Sequence, residues 1–318
     1  MNLINSIPFA FRASRVGAEA RRLTANPGFS GKVLAVASKT IYLTGENGEM
    51  LWISGSGLSM HRRSIQASFP TSLFNPGERF IVRQASLWIE RDIAINLDQA
   101  AEWNPKSIEP GEAVLLALVK EGMNRLWTAI PMLGNFKGFG KSLPLISLIT
   151  MKSHPTHFTP DLPINNEPGV IMEVVEACLT HDMIRALQKG RNLVGLGEGL
   201  TPSGDDFLGG LLFAIHSLQR SYPEEFHWER EAIIGLLEWA QKETNPISYA
   251  LLKDLAFGHG PETLHEALHA LLMGSDLERV KVRIKRLTEM GSTSGWDMLA
   301  GLMTGMLLVK GKRNHWQQ

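Results

Sequence analysis

Residues 195–206 read Gly-Leu-Gly-Glu-Gly-Leu-Thr-Pro-Ser-Gly-Asp-Asp, and an apolar run, residues 207–215, follows directly. Glycine adopts backbone conformations that other residues avoid, so four glycines within ten residues predict a tight loop that a ligand can approach closely. The run that follows is apolar nearly all round, which predicts a buried helix starting at this loop. The loop and its helix therefore form the centre of a predicted helical region.

The same pattern recurs at an offset of 91 residues. Residues 203–212 align without gaps on residues 294–303, and six of the ten positions are identical. This repeat predicts two similar loop-helix units whose N-termini face one pocket, and it adds Ser294, Gly295 and Asp297 to the candidate binding residues. The second copy carries Trp296 where the first has Asp205, so Asp205 is the asymmetric carboxylate and the stronger functional candidate.

An earlier part of the chain has the pattern of β-strands. Between residues 31 and 97, short β-branched and aromatic runs alternate with turn residues, which is typical of antiparallel strands. The clearest unit is a hairpin in which Asn47-Gly48 connects residues 40–44 and 50–53. We therefore predict an α+β protein, with a small antiparallel barrel or sandwich in residues 1–110 and a mostly helical domain in residues 111–318.

Helical periodicity dominates after Pro110. The loop-rich segment 152–169 contains four prolines and is the candidate linker or lid. The predicted helices span residues 113–127, 170–179, 181–188, 207–218, 229–241, 248–256, 262–273, 277–289 and 298–309.

Charge and composition exclude several classes of protein. The chain has 32 Lys and Arg and 32 Asp and Glu, so it lacks the basic surplus typical of nucleic-acid binding. Hydrophobic residues make up 44% of its 318 residues, which excludes a disordered chain. Cys178 is the single cysteine, so it cannot form an internal disulfide. The longest apolar stretch, residues 298–309, is too short for a membrane span. We expect a cytoplasmic protein with neither a membrane nor a nucleic-acid partner.

The glycine loop predicts a site for a small anion. Gly197, Gly199 and Gly204 let a ligand approach the backbone, and Thr201 and Ser203 offer hydroxyl donors. The free N–H groups at the start of the helix add donors, and the helix dipole favours negative charge there. The spacing fits neither the Walker phosphate loop nor the dinucleotide fingerprint.

A purely structural interpretation stays open for part of this loop. Ser203 followed three residues later by Asp206 predicts a capping box, which satisfies backbone donors without any ligand. Asp205, Glu198 and Thr201 have no such structural role in the sequence. Asp205 and Asp206 are therefore the catalytic candidates.

Other polar positions are weaker candidates. Ser248 starts a predicted helix after a loop, and His259 lies in a glycine-flanked turn, so each is a candidate for lining the site. Residues 154–157 contain two histidines but no accompanying acidic residue or cysteine, and we predict no metal site there. Asp205 with Asp206 would be a candidate Mg²⁺ site, although adjacent carboxylates on a helix point apart. We predict no cofactor, with Mg²⁺ as the one candidate metal.

At residues 195–206 the chain resembles a bacterial family first described as a domain of unknown function, whose hallmark is this Gly-Leu-Gly-x-Gly-Leu-Thr-Pro-Ser-Gly-Asp-Asp loop. Thr293, Ser294, Gly295, Asp297 and the region of Ser248 look like its later features. One branch is the AllH-type subunit of oxamate carbamoyltransferase, which acts with two companion subunits in allantoin breakdown, a branch of purine catabolism. The resemblance implies an exchange of a carbamoyl group between oxalurate plus phosphate and oxamate plus carbamoyl phosphate.

Three functions are weighed on this basis. The leading hypothesis is an enzyme subunit for carbamoyl transfer, in which Asp205 orients or deprotonates the amide nitrogen. One observation opposes this hypothesis: the motif contains no Arg or Lys to bind a phosphate. The nearest cations upstream of it in the sequence are Arg185, Lys189 and Arg191. The alternatives are a non-catalytic anion-binding or scaffold subunit of a multi-protein enzyme, and a Mg²⁺-dependent hydrolase.

Overall fold

The computed structural model describes residues 9–90, 92–105, 108, 111–151, 167–227 and 229–309. Contacts within the chain divide it into two units, Met1–Pro105 and Lys106–Gln318. The first unit is built mainly from strands and the second from helices. The predicted α+β class is confirmed.

The first unit is a β-barrel. In its described residues, strands β1 to β8 close a barrel in the order β5-β4-β3-β2-β6-β7-β8-β1, with β1 pairing back to β5, and β9 extends it beside β1. The pairs β4–β5, β1–β8 and β1–β9 are parallel, which corrects the prediction of a purely antiparallel sheet. The elements are β1 (Phe9–Gly17), α1 (Ala18–Thr24), β2 (Ser30–Val36), β3 (Thr40–Gly45), β4 (Met50–Gly55), β5 (Ser64–Ala67), β6 (Arg79–Arg83), β7 (Ser86–Ile89), β8 (Ile93–Asn96) and β9 (Ala101–Trp103).

The predicted hairpin is confirmed as β3 and β4. Gly48 has a φ of +83° in the turn, a conformation that glycine adopts without strain. Alternate side chains of both strands point into the barrel, so residues such as Ile41 and Leu51 are fully buried. The period-two pattern of the sequence thus becomes the core of the first unit.

The described part of the second unit is helical. Its helices are α2 (Leu116–Ala129), α3 (Leu143–Met151), α4 (Glu167–Leu179), α5 (Met183–Gly190), α6 (Ser203–Ser221), α7 (Arg230–Glu243), α8 (Pro246–Ala256), α9 (Glu262–Leu272), α10 (Leu277–Thr288) and α11 (Ser294–Gly305). Among the helices in these ranges, none combines the length and the apolar character needed to cross a membrane. The predicted linker or lid lies outside the described residues up to residue 166, and so do His154 and His157.

In the helical unit the structure adds one helix to those predicted, and it buries the single cysteine. The short helix α3 was not predicted, because its sequence is apolar on most sides and shows little helical periodicity. Cys178 is buried, as predicted, and burial raises the pKa of its thiol to about 12. It therefore contributes to the core as a small apolar residue.

Helices α6 and α11 cross at the centre of the helical core, and their contact is reciprocal. A Cβ atom added at Gly210 on α6 would overlap the carbonyl oxygen of Met298 on α11. A Cβ added at Gly301 on α11 would overlap the carbonyl oxygen of Phe207 on α6. Gly210 and Gly301 are equivalent in the sequence repeat, as are Phe207 and Met298. The repeat is thus a structural duplication whose two copies pack against each other, backbone to backbone.

Candidate functional site

The glycine loop before α6 needs its glycines for backbone conformation. Gly195, Gly197 and Gly199 have φ values of +71°, +113° and +95°, a region in which residues with a side chain are strained. The Asn245 side chain caps α8 and also donates to the carbonyl oxygen of Leu200 at 3.0 Å. The loop is therefore held against the start of α8.

Asp205 anchors this arrangement. Its Oδ1 accepts a hydrogen bond from the N–H of Gly195 at 2.8 Å. Its Oδ2 accepts bonds from the hydroxyls of Thr244 and Ser248, the latter at 2.6 Å. Asp205 is buried, so each of these donors depends on it. The carboxylate for which the sequence showed no structural role thus ties the glycine loop to α8, and Ser248 serves the same contact.

We expect Asp205→Ala to destabilise the chain by about 3 kcal/mol or more, because it leaves buried donors without an acceptor at about 1–3 kcal/mol each. Urea unfolding followed by circular dichroism measures the change. Asp276→Ala is the control: Asp276 accepts the N–H of Arg279 as an exposed N-cap of α10, and losing it costs about 1 kcal/mol. Equal losses in the two variants would contradict an anchoring role for Asp205.

The start of α6 differs from the predicted capping box. Pro202 occupies the N-cap position and Ser203 is the first helical residue, with no side-chain cap. The N–H groups of Asp205 and Asp206 instead donate to the carbonyl oxygen of Pro202. The N–H of Gly204 donates to the carbonyl oxygen of Leu196 at 2.8 Å. The capping prediction for Ser203 and Asp206 is therefore wrong, and much of the donor capacity predicted for an anion is used within the chain.

Gly204 and Gly295 are equivalent residues that allow close packing. A Cβ at Gly204 would overlap the carbonyl oxygen of Leu193, and a Cβ at Gly295 would overlap that of Leu287. The N–H of Gly295 donates to the carbonyl oxygen of Met290 at 3.0 Å, just as the N–H of Gly204 donates to the carbonyl oxygen of Leu196 in the preceding loop. Both glycines thus place a helix N-terminus against the preceding chain.

The two N-termini exchange hydrogen bonds through equivalent side chains. Asp206 of α6 accepts a hydrogen bond from the Ser294 hydroxyl of α11. Asp297 of α11 accepts one from the Ser203 hydroxyl of α6. Asp205 and Asp206 therefore face different partners, as expected for adjacent carboxylates on a helix. We call Asp206 and Asp297 the carboxyl pair.

Both members of the carboxyl pair are buried, with relative exposures of 2% for Asp206 and 0% for Asp297. Burial raises the pKa of Asp206 well above its ordinary value, and the nearby charge of Asp297 raises it further. Burial also raises the pKa of Asp297 to about 6, against the opposing effect of the Phe139 N–H. Within the described residues, the Oδ2 atom of each carboxyl has no hydrogen-bond partner.

Half-buried hydroxyls accompany the carboxyl pair. Thr201 Oγ1 lies 3.1 Å from Ser294 Oγ, a hydrogen bond that links the loops before α6 and α11. Thr201 also hydrogen-bonds Asp206, and Thr293 hydrogen-bonds Asp297. We call Thr201, Ser203, Thr293 and Ser294 the hydroxyl cluster. These side chains retain partial exposure, so they connect the buried carboxyls to the surface.

A second loop, which the sequence analysis did not select, completes the site. The N–H of Phe139 donates to Asp297 Oδ1 at 2.6 Å. Gly138 has a φ of +48°, and a Cβ there would overlap the Asp297 carboxyl. Two exposed cations, Lys137 and Lys141, flank this contact in the chain. The signal for this loop was the run of glycines at 134, 138 and 140.

Two of the three cations nearest to the motif in sequence form ion pairs with other residues. Arg185 pairs with Glu176 at 3.2 Å, and Lys189 pairs with Glu173 at 3.0 Å. Within the described residues, neither Lys137 nor Lys141 has such an ion pair. The loop before α3 therefore carries two cations close in sequence to the Phe139–Asp297 contact, whereas the glycine motif carries none.

Residues 193–306 match the family model described as oxamate carbamoyltransferase subunit AllH. The predicted family resemblance is confirmed over this segment. The segment contains α6 to α11, both copies of the repeat and both members of the carboxyl pair. No solved structure matches the chain.

His259, within the AllH match, lies apart from the carboxyl pair. It interacts electrostatically with His216 on α6, and Gly258 packs against the His216 ring. His216 is ten residues beyond Asp206 of the carboxyl pair, or about 15 Å along the helix. Trp296, which replaces Asp205 in the second copy, packs on Phe136 with ring centroids 5.1 Å apart.

In the part of the chain that the structure describes, no three acidic, His or Cys residues form a group that could hold a metal ion.

Proposed function

We propose that this chain is a subunit of oxamate carbamoyltransferase, that it works with companion subunits, and that the carboxyl pair and hydroxyl cluster bind its small anionic substrate. The observation that carries the proposal is the AllH match, because it spans both N-termini that build this cluster. A family of subunits implies an assembly with other chains. The unpartnered buried oxygens support a ligand site rather than a purely structural role.

The residues suit the chemistry of carbamoyl transfer. A phosphate oxygen attacks the carbamoyl carbon of oxalurate, the bond from that carbon to the oxamate nitrogen breaks, and this nitrogen takes up a proton. The products are carbamoyl phosphate and oxamate. Burial raises the pKa of Asp206 well above its ordinary value, which favours the protonated carboxyl that a proton donor needs. We assign the proton transfer to Asp206 rather than to Asp205, whose oxygens are occupied by Gly195, Thr244 and Ser248.

The surrounding groups fit a small anion. Lys137 and Lys141, which flank the Phe139–Asp297 contact in the chain, are the positive charges that we assign to this anion. The hydroxyls of Thr201, Ser203 and Ser294 line the partly exposed side of the cluster and would donate to the anion in exchange for their bonds within the cluster. The raised pKa of Asp206 favours its neutral form, which lowers the repulsion that two buried carboxylates would exert on such a substrate. In this proposal the anion site takes its positive charge from the loop before α3.

The test is oxalurate phosphorolysis by this chain assembled with its companion subunits. We expect Asp206→Asn to lower kcat by about 100-fold or more, because Asn cannot transfer a proton. Asp276→Asn is the matched control and keeps full activity, since Asn caps a helix as well as Asp does. An Asp206→Asn assembly with wild-type activity would contradict a catalytic site in this chain and would favour the scaffold alternative.

A further inference from the structure

One oxygen of each member of the carboxyl pair lacks a hydrogen-bond partner among the described residues. Asp206 Oδ2 and Asp297 Oδ2 are closed to solvent and accept no hydrogen bond from any described residue. A buried acceptor without a donor costs about 1–3 kcal/mol, and native proteins rarely leave two such atoms in one cluster. The two side chains are equivalent in the repeat and bond to equivalent serines on the opposite helix. The duplication therefore builds two matched, unfilled acceptors.

We infer that these two Oδ2 atoms accept the two N–H groups of a substrate primary amide, so that the carboxyl pair selects an amide over an isosteric methyl ketone. The inference rests on the proposed function, in which the substrate is oxamate. An amide NH₂ has two donors and no net charge. It is small enough to enter a buried position, and it matches a pair of acceptors related by the duplication.

The rest of the cluster fixes the opposite end of the substrate. A carboxylate or phosphate would be repelled by the carboxyl pair, so the charged end of the substrate lies on the partly exposed side of the cluster, beside Thr201, Ser203 and Ser294. The ligand therefore enters with its amide inward and its charged end toward the hydroxyl cluster and the surface. In this orientation the amide nitrogen lies beside Asp206, where proton transfer to it is required.

A metal ion is a poorer match for the same atoms. Mg²⁺ prefers about six oxygen ligands in octahedral geometry and keeps several waters. Asp205 is occupied by three donors, and within the described ranges no third acidic, His or Cys side chain completes a metal set. The neutral amide needs only the two acceptors that are present.

Oxamate and pyruvate test this inference, because pyruvate has a methyl group where oxamate has its amide NH₂. We expect the assembled enzyme to bind oxamate at least about 30-fold more tightly than pyruvate in calorimetric titration, since pyruvate leaves both acceptors unfilled. Asp297→Leu and Asp206→Leu should reduce this ratio to about threefold or less. Asp276→Asn is the control and should keep the wild-type ratio.

The outcomes separate the two proposals. An enzyme that binds oxamate and pyruvate equally overturns the amide inference and leaves the carbamoyltransferase proposal intact. A wild-type ratio that both Leu variants retain also overturns the inference, because other groups would then recognise the amide. An assembled enzyme that binds no oxamate contradicts the proposed function itself. The wild-type ratio remains decisive if a Leu variant fails to fold.

Discussion

An Asp297→Asn variant should unfold at a higher temperature than the wild-type chain at pH 8. Burial raises the pKa of Asp297 from 3.8 to about 6, so the folded state carries a costly buried charge above that pH. A shift of about two pKa units corresponds to about 3 kcal/mol. Asn keeps an oxygen for the Phe139 N–H and carries no charge, so the variant recovers part of this free energy.

The sign of the effect depends on pH in a defined way. The pKa of Asp297 is higher in the folded state, so its contribution to stability is complete below pH 3.8 and is lost as the pH rises through about 6. The advantage of Asp297→Asn should therefore be largest at pH 7–8 and should fade toward pH 4. Thermal unfolding across this range measures it, with Asp276→Asn as the control. A variant less stable than wild type at pH 8 would contradict a destabilising buried charge at Asp297.

A more stable variant should be less active. Functional sites often retain charges that weaken the fold, and removing them exchanges activity for stability. Asp206→Asn should follow the same direction, since burial and the charge of Asp297 raise the pKa of its carboxyl. Stabilisation together with lost transfer activity is the combination that a merely structural role would not produce.

Gly301→Ala should strongly destabilise the folded state of the helical unit. The added Cβ would overlap the carbonyl oxygen of Phe207, a backbone atom of α6 that cannot move without separating the two central helices. We expect a loss of about 3 kcal/mol or more, which is a large share of the 5–15 kcal/mol that stabilises a typical domain. Urea unfolding and the yield of soluble protein measure it.

Gly122→Ala is the matched control for this substitution. Gly122 also lies within a helix, α2, but a Cβ there meets no atom within 4 Å. Because alanine is the better helix former, this change should stabilise the chain by about 0.5–1 kcal/mol. If Gly301→Ala were tolerated as well as Gly122→Ala, the close crossing of α6 and α11 would be contradicted.

Local patterns in the sequence predicted most of the fold. Alternating residues in the β3–β4 hairpin and helical periodicity in segments such as α10 specify their elements directly, because each side chain's environment follows from its position. Barrel closure through β1 and β5 joins strands that are distant in sequence, and no local pattern encodes such a pairing. The parallel pairs were missed for the same reason.

The candidate site was only partly predictable. The motif and the repeat identified Ser203, Asp206, Ser294 and Asp297, since both copies carry them. Their cross-pairing depends on how α6 and α11 cross, which the sequence does not show. For the same reason the sequence did not show that Asp205, its stronger candidate, ties the loop to Ser248 on α8. Phe139 and Asp297 are 158 residues apart in the sequence, so the spacing of the motif could not predict their contact.

A crystal structure of the assembled enzyme with oxamate is the most direct test of the carboxyl pair as the substrate site. We expect the oxamate nitrogen within about 3.2 Å of Oδ2 of both Asp206 and Asp297. The carboxylate of oxamate should face the hydroxyls of Thr201 and Ser294. Oxamate bound elsewhere, with both Oδ2 atoms still unpaired, would contradict this assignment.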